Sequence, residues 1–186
     1  MNDYSSRRSI SPNIPSPHSL QNKLFRCIWG FVWLFLFRLS PKIFHGWRCF
    51  LLRLFGAKIG KGVCVYPSVK IWLPKNLKMA DNSCLAAHVD CYNVEKITIG
   101  ENSTVTQYSY LCTTTHDITH IEMPLITGPI IVEEQVWVGA DVYIGLGVRI
   151  GQGAVVGARS SVYKNVAPWT VVGGNPAVFL KERKIL

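Results

Sequence analysis

The chain has 186 residues, 48% hydrophobic and 17% charged, which suits one folded domain with a sizeable core and excludes a wholly disordered chain. The net charge of +9 is uneven: residues 1–62 carry ten Lys and Arg against Asp3 alone, while residues 63–186 carry ten against ten acids. Basic character confined to the N-terminal third argues against a nucleic-acid binder. Cys27, Cys49, Cys64, Cys84, Cys91 and Cys112 form no CxxC pair and no knuckle spacing, as expected of free thiols in a reducing cytosol.

Residues 1–19, MNDYSSRRSISPNIPSPHS, are rich in Ser and Pro and read as a disordered tail without the layout of a signal peptide. Residues 20–56 read as N-terminal apolar and basic amphipathic helices. The apolar run CIWGFVWLFLF, 27–37, is bracketed by Arg26 and Arg38 and is too short to cross a bilayer, which needs about 20 residues. After Ser40–Pro41, the residues Ile43, Phe44, Trp47, Phe50, Leu51 and Leu54 share one helical face, with Lys42, His45, Arg48 and Arg53 off it. Two readings of that face stand side by side. It buries itself as a cap on a repeat domain, or it lies at a membrane interface with its cations against anionic head groups.

From residue 59 the period changes to six. The chain reads IGKGVC, VYPSVK, IWLPKN, then IGENST, VTQYSY, LCTTTH, and later VEEQVW, VGADVY, IGLGVR, IGQGAV, VGARSS, VYKNVA. Residues 132, 138, 144, 150, 156 and 162 are all Val or Ile, and Val136, Val142, Val148, Ala154, Ser160 and Val166 follow four places on. Neither a helix nor an alternating strand has this period; a β-solenoid does. Three hexads close a triangle, so a coil takes 18 residues, the aliphatic position points inward, and coils stack about 4.8 Å apart. The expected fold is mainly β, a single-stranded left-handed parallel β-helix over 57–172 with N-terminal helices. A loop at about 117–131 (DITHIEMPLITGPII) interrupts the repeat, and a turn and tail follow over 173–186. His116 closes the string YLCTTTHD's run of repeats at the base of that loop. Ala140 and Ala158, 18 residues apart, fall on one corner of consecutive coils and leave a shallow groove there, although small residues also simply fit solenoid corners. Trp137 points outward by phase.

These hexads, with HGWRCFLLRLFGAKIG, LCTTTHD and APWTVVGGNPAV, resemble the left-handed β-helix acyltransferases over roughly residues 40–183. Within them the chain is most similar to the WcaF-type O-acetyltransferases of colanic acid biosynthesis, and less close to the maltose, galactoside and nodulation acetyltransferases. The resemblance implies transfer of acetyl from acetyl-CoA to a sugar hydroxyl without a resident metal. His116 matches the family's general base; an imidazole can take a hydroxyl proton as the oxygen attacks a thioester. Cys112 lacks a neighbour that would activate it as a nucleophile. The resemblance also implies Trp137 at a cleft between subunits of a homotrimer, Lys164 and Lys181 as contacts for the coenzyme phosphates, and Gly173–Ala177 beside its adenine end. The acceptor-holding asparagine of related enzymes is replaced by Ala86. His88 and Asp90 are the candidate substitutes, with a solvated turn as the alternative. Asp117 either orients His116 or caps the loop.

The apolar N-terminal segment points to an acceptor at the membrane, such as a lipid-linked saccharide, and to a cytoplasmic protein peripheral to the inner membrane face. Two other functions share the fold. His88, His116 and His120 could form a metal site like that of the γ-class carbonic anhydrases, although their spacing fits poorly. A non-catalytic scaffold is the other. No P-loop or GxGxxG motif is present.

Overall fold

The computed structural model describes residues 19–185. The expected disordered tail lies outside them except for Ser19, whose hydroxyl accepts from the Asn22 N–H at 3.2 Å and caps the first helix. Helix α1 (Leu20–Val32) runs on into a π-helical turn, Trp33–Phe37, so the apolar run is the second half of a longer helix. Helix α2 (His45–Leu54) follows a short turn.

Strands of two to five residues then build a left-handed β-helix with three faces. Parallel strands starting at Lys58, Leu77, Ile97, Ile130 and Arg149 make the first face. Those starting at Cys64, Cys84, Thr104, Trp137, Val155 and Thr170 make the second, edged by the antiparallel strand Val178–Glu182 across the turn at Gly174–Ala177. Those starting at Lys70, Asp90, Tyr110, Tyr143 and Ser161 make the third. The inward column Val132, Val138, Ile144, Ile150, Val156 and Val162 is buried, as are the residues four places on. Left-handed backbone recurs at Gln135, Asp141, Gly147, Gly153 and Arg159, one per hexad. At Gly139 the coils approach so closely that a Cβ would lie 2.6 Å from the Ala158 nitrogen.

The 18-residue coil holds only in the second half, where Trp137 faces Val155 and Tyr143 faces Ser161. In the first half Cys64 faces Cys84 and Lys70 faces Asp90, a step of 20. The two extra residues widen the corner between the third and first faces. Asn93 is buried there, accepting from the Leu73 N–H at 2.9 Å and donating to its carbonyl at 2.8 Å. Glu95 N–H donates to Thr113 Oγ1 at 3.0 Å in the next coil.

Helix α2 does cap the first coil, but through a face that takes in only Leu51 of the apolar stripe. Arg48, Cys49, Leu51 and Leu52 are buried, while Ile43 (80% exposed), Phe44, Trp47, Phe50 and Leu54 face outward. The reason is Arg48. Its guanidinium donates to the Val65 carbonyl at 2.6 Å, to Ser40 Oγ and the Pro41 carbonyl at 2.8 Å each, and to the Lys42 carbonyl at 2.5 Å. A charged group so well supplied with acceptors can be buried without a carboxylate, and burial lowers its pKa. His45 Nδ1 meets the Val65 carbonyl at 2.9 Å, so Val65 anchors both side chains to the coil. Helix α1 and its π-turn are held by indoles: Trp29 Nε1 donates to the Ile71 carbonyl and Trp33 Nε1 to that of Val69, each at 2.7 Å.

Replacing Arg48 by Met keeps the volume and strands these acceptors. We expect a loss of about 3 kcal/mol by chemical denaturation; an unchanged midpoint would mean that water satisfies the carbonyls.

Candidate active site

The third coil is longer than the others. Ile97 pairs with Ile130 across 33 residues. The surplus cannot enter the closed core and leaves as a β-hairpin, Thr114–His116 paired antiparallel with Leu125–Thr127. It springs from the same wide corner between the third and first faces. Ile130 is already back in the ladder, with its N–H donating to the Lys96 carbonyl at 3.0 Å.

His116 is exposed on this hairpin. Its Nδ1 lies 2.6 Å from the Met123 carbonyl oxygen. A carbonyl only accepts, so Nδ1 carries a hydrogen, and in the neutral ring Nε2 is the nitrogen that keeps its lone pair. Asp117 makes no hydrogen bond to His116 among the described residues. Its Oδ1 accepts from Thr119 N–H at 2.9 Å and from Thr119 Oγ1 at 2.6 Å, which caps the loop and holds the carboxyl below its ordinary range. Met123 has φ +43° and presents its carbonyl from that strained turn. Sequence reasoning missed it, because a backbone oxygen leaves no mark on residue identity. Cys112 is buried, and its thiol is engaged with the Thr114 carbonyl at 3.1 Å.

Ala140 and Ala158 meet at the corner between the second and third faces, in a cleft of about 350 Å³ with Gln107, Tyr108, Asp141 and Arg159. His88 belongs with this corner: its ring stacks on Tyr108, centroids 4.9 Å apart and planes within 4°. Its N–H donates to Ser68 Oγ at 2.9 Å. Trp137 is 51% exposed on the second face. The registers Trp137–Val155, Val155–Val171 and Val171–Lys181 set Lys181 in the same row. Lys164 lies apart from these, just after the strand Ser161–Val162, at the corner from which the hairpin springs. Asp90 faces elsewhere again, into a cavity between α1 and the third face. The three candidate acceptor contacts therefore occupy three separate places. No cluster of three or more His, Cys, Asp or Glu able to hold a metal occurs among the described residues.

One relation organises these positions. In a three-sided prism the corner between the third and first faces is opposite the second face. Within one chain, His116 and Trp137 are on opposite sides.

Proteins built on hexapeptide repeats match this coiled prism in sequence and in structure. The family model described as hexapeptide repeat of succinyl-transferase matches residues 129–164. A protein of Escherichia coli K12 assigned to colanic acid biosynthesis as the acetyltransferase WcaF is 46% identical over 156 residues, 84% of this chain and 86% of that one. A hexapeptide-repeat acetyltransferase of Vibrio cholerae, solved in complex with acetyl coenzyme A, is 28% identical with a TM-score of 0.82, covering 91% of this chain and 93% of that one. A maltose O-acetyltransferase of Clostridium difficile is 25% identical with a TM-score of 0.82, over 90% of each chain. The chain belongs to the WcaF-type family of hexapeptide-repeat acetyltransferases.

The hydrogen bond to Met123 makes a spectroscopic prediction. In Asp117→Ala, the ¹⁵N signature of a His116 protonated at Nδ1 should persist, while amide exchange at Thr119 accelerates. Loss of that tautomer in the variant would return the orienting role to Asp117.

Proposed function

We propose that the protein transfers acetyl from acetyl-CoA directly to a hydroxyl of a saccharide acceptor used in cell-surface polysaccharide synthesis, with His116 as general base. The observation that carries this reading is the His116–Met123 hydrogen bond, which selects the tautomer whose basic nitrogen is Nε2, on an exposed side chain of a paired strand. Nε2 takes the proton of the acceptor hydroxyl as its oxygen forms a bond to the thioester carbonyl carbon. The tetrahedral intermediate then expels the coenzyme thiolate, which recovers that proton from the imidazolium. The engaged, buried thiol of Cys112 disfavours an acyl-enzyme on that residue. The WcaF relative supports the polysaccharide context, and the acetyl-coenzyme A complex of the Vibrio protein supports the donor.

The prism geometry supports a homotrimer. His116 and Trp137 cannot share a site within one chain, but a three-fold ring brings the hairpin corner of one subunit to the second face of the next, and such a ring closes. The coenzyme then runs along the cleft between subunits, with Trp137, Ala140 and Ala158 as its contacts and Lys181 and Lys164 toward its phosphates.

The N-terminal helices support attachment to a membrane surface. Leu20, Leu24, Ile28, Phe31 and Phe35 form one exposed stripe along the first helix and its π-turn. Phe44, at the N-cap of α2, and Trp47, Phe50 and Leu54 on it continue the stripe, and Trp47 Nε1 donates to the Leu36 carbonyl at 2.9 Å and locks the two helices together. No acidic residue occurs between Asp3 and Asp81, so the cations around this surface, Lys23, Arg38, Lys42 and Arg53 among them, are unopposed in sequence. No helix among the described residues is long and apolar enough to cross a membrane. An apolar face ringed by cations suits the head-group boundary of an anionic bilayer.

His116→Ala should lower kcat for acetyl transfer by about 10²- to 10⁴-fold with unchanged stability. Met123→Gly, which keeps the carbonyl and tolerates positive φ, should stay within about twofold, while Met123→Pro, which forces φ negative, should resemble His116→Ala. Near-normal turnover without the imidazole would end the assignment. Separately, the full chain should float with phosphatidylglycerol vesicles and not with phosphatidylcholine ones, and Phe31→Ser/Phe50→Ser should abolish flotation. Equal behaviour of the two lipids would remove the electrostatic half of the argument.

A further inference from the structure

A cavity of about 610 Å³ lies between α1 and the first three strands of the third face. Its wall is aromatic on the solenoid side: Trp72 and Tyr92 meet edge to face at 4.8 Å, and Tyr92 and Tyr110 stack at 6.5 Å. Three cations line it, Lys23 and Arg26 from α1 and Lys70 from the strand below, against the single carboxylate of Asp90. The Arg26 guanidinium lies flat over Trp72 at 4.0 Å. Its Nε and Nη1 are shielded from solvent without an acceptor among the described residues. Burial raises the pKa of Asp90, Lys70 opposes the shift, and no hydrogen-bond donor engages its carboxylate among the described residues. The helix wall is rigid, because the Trp29 and Trp33 indoles are tied to backbone carbonyls of the coil.

Such a cavity combines faces for a sugar ring, an acceptor for ring hydroxyls and a surplus of donors for an anion. We propose that it binds a glycosyl phosphate: the phosphate lies among Lys23, Arg26 and Lys70, the ring stacks on Tyr92 and Tyr110, and Asp90 accepts from a ring hydroxyl. This deepens the acetyltransferase reading and rests on it, since it names the acceptor as phosphate-bearing. Two positions favour it over a simple helix-packing gap. On α1, Lys23 and Arg26 border the exposed apolar stripe, so a phosphate here sits at the edge of a lipid-facing surface. Tyr110 begins the strand that continues into the hairpin, six residues before His116. The same chemistry could come from a lipid-linked glycosyl diphosphate or from a free sugar phosphate.

The test uses the full chain carrying His116→Ala, so that binding is read without chemistry. Glucose 1-phosphate should quench tryptophan fluorescence saturably, and Arg26→Gln and Lys70→Gln should each raise its Kd by at least tenfold. Glucose and inorganic phosphate, each alone, should bind at least tenfold more weakly. Farnesyl diphosphoglucose in detergent separates the sources: tighter binding than glucose 1-phosphate assigns the lipid-linked form and equal binding the free one, and either supports the site. With His116 restored, Lys70→Gln should raise KM for the phosphorylated acceptor and leave kcat within twofold. Absence of saturable binding, equal binding of inorganic phosphate, or a changed oligomeric state in Arg26→Gln and Lys70→Gln would overturn the proposal. Because the binding arms do not depend on the base, they can succeed while the catalytic reading fails, and the reverse.

Discussion

Everything in this molecule depends on the backbone ladder between coils. Each short strand must hydrogen-bond to the strand one coil above and one below, so every coil must return to the same column at the same height. Corners are therefore turned within a few residues, often by one in the left-handed region, and the inward side chains must match in size. A chain under that constraint can absorb extra residues only by pushing them outward at a corner. The two-residue surplus of the early coils widens the corner at Asn93, and the larger surplus of the third coil becomes the hairpin at Thr114–Thr127. The rigidity that forbids a slack loop also fixes the direction of His116.

The same constraint explains what could be read from the sequence. Residues 132–166 obey a strict six-residue count because their corners are all tight, so the inward column and the register of Ala140 with Ala158 were legible. The earlier coils were counted in eighteens and run in twenties. The extra residues, around Pro74–Asn76 and Asn93–Glu95, satisfy the wide corner through side-chain amides and a hydroxyl, which look like ordinary loop polarity in one dimension. Helix α2 shows a different failure. Its apolar stripe was identified correctly as a stripe, yet amphipathicity says only that two faces differ. Which face packs inward was decided by Arg48, whose partners are three carbonyls and a hydroxyl that sequence gives no reason to bring together.

An outward apolar face is expensive in water, and here it extends over both helices rather than occurring as scattered residues. The inner face of the same helices is held by directional bonds: two indoles on carbonyls, a buried guanidinium and an imidazole. Polar anchoring on the inside lets the apolar side chains remain outside without pulling the helices inward. This arrangement inverts the usual amphipathic logic of a soluble cap, and it is coherent if the medium on that side is not water.

The division of the site between faces follows from the prism as well. A three-sided rod has no concave surface large enough for both a coenzyme and an acceptor, because its corners are convex and its faces nearly flat. The groove at Ala140 and Ala158 is shallow, and the hairpin at His116 projects away from the second face that displays Trp137. Depth can arise only where a second body stands against the rod. Helix α1 supplies one such body and creates the cavity over Trp72 and Tyr92. In the proposed trimer a neighbouring copy would be the other, setting an imidazole on one rod against a tryptophan on the next. On the proposed trimer the assembly and the chemistry become one question, because there each monomer would hold half of each site.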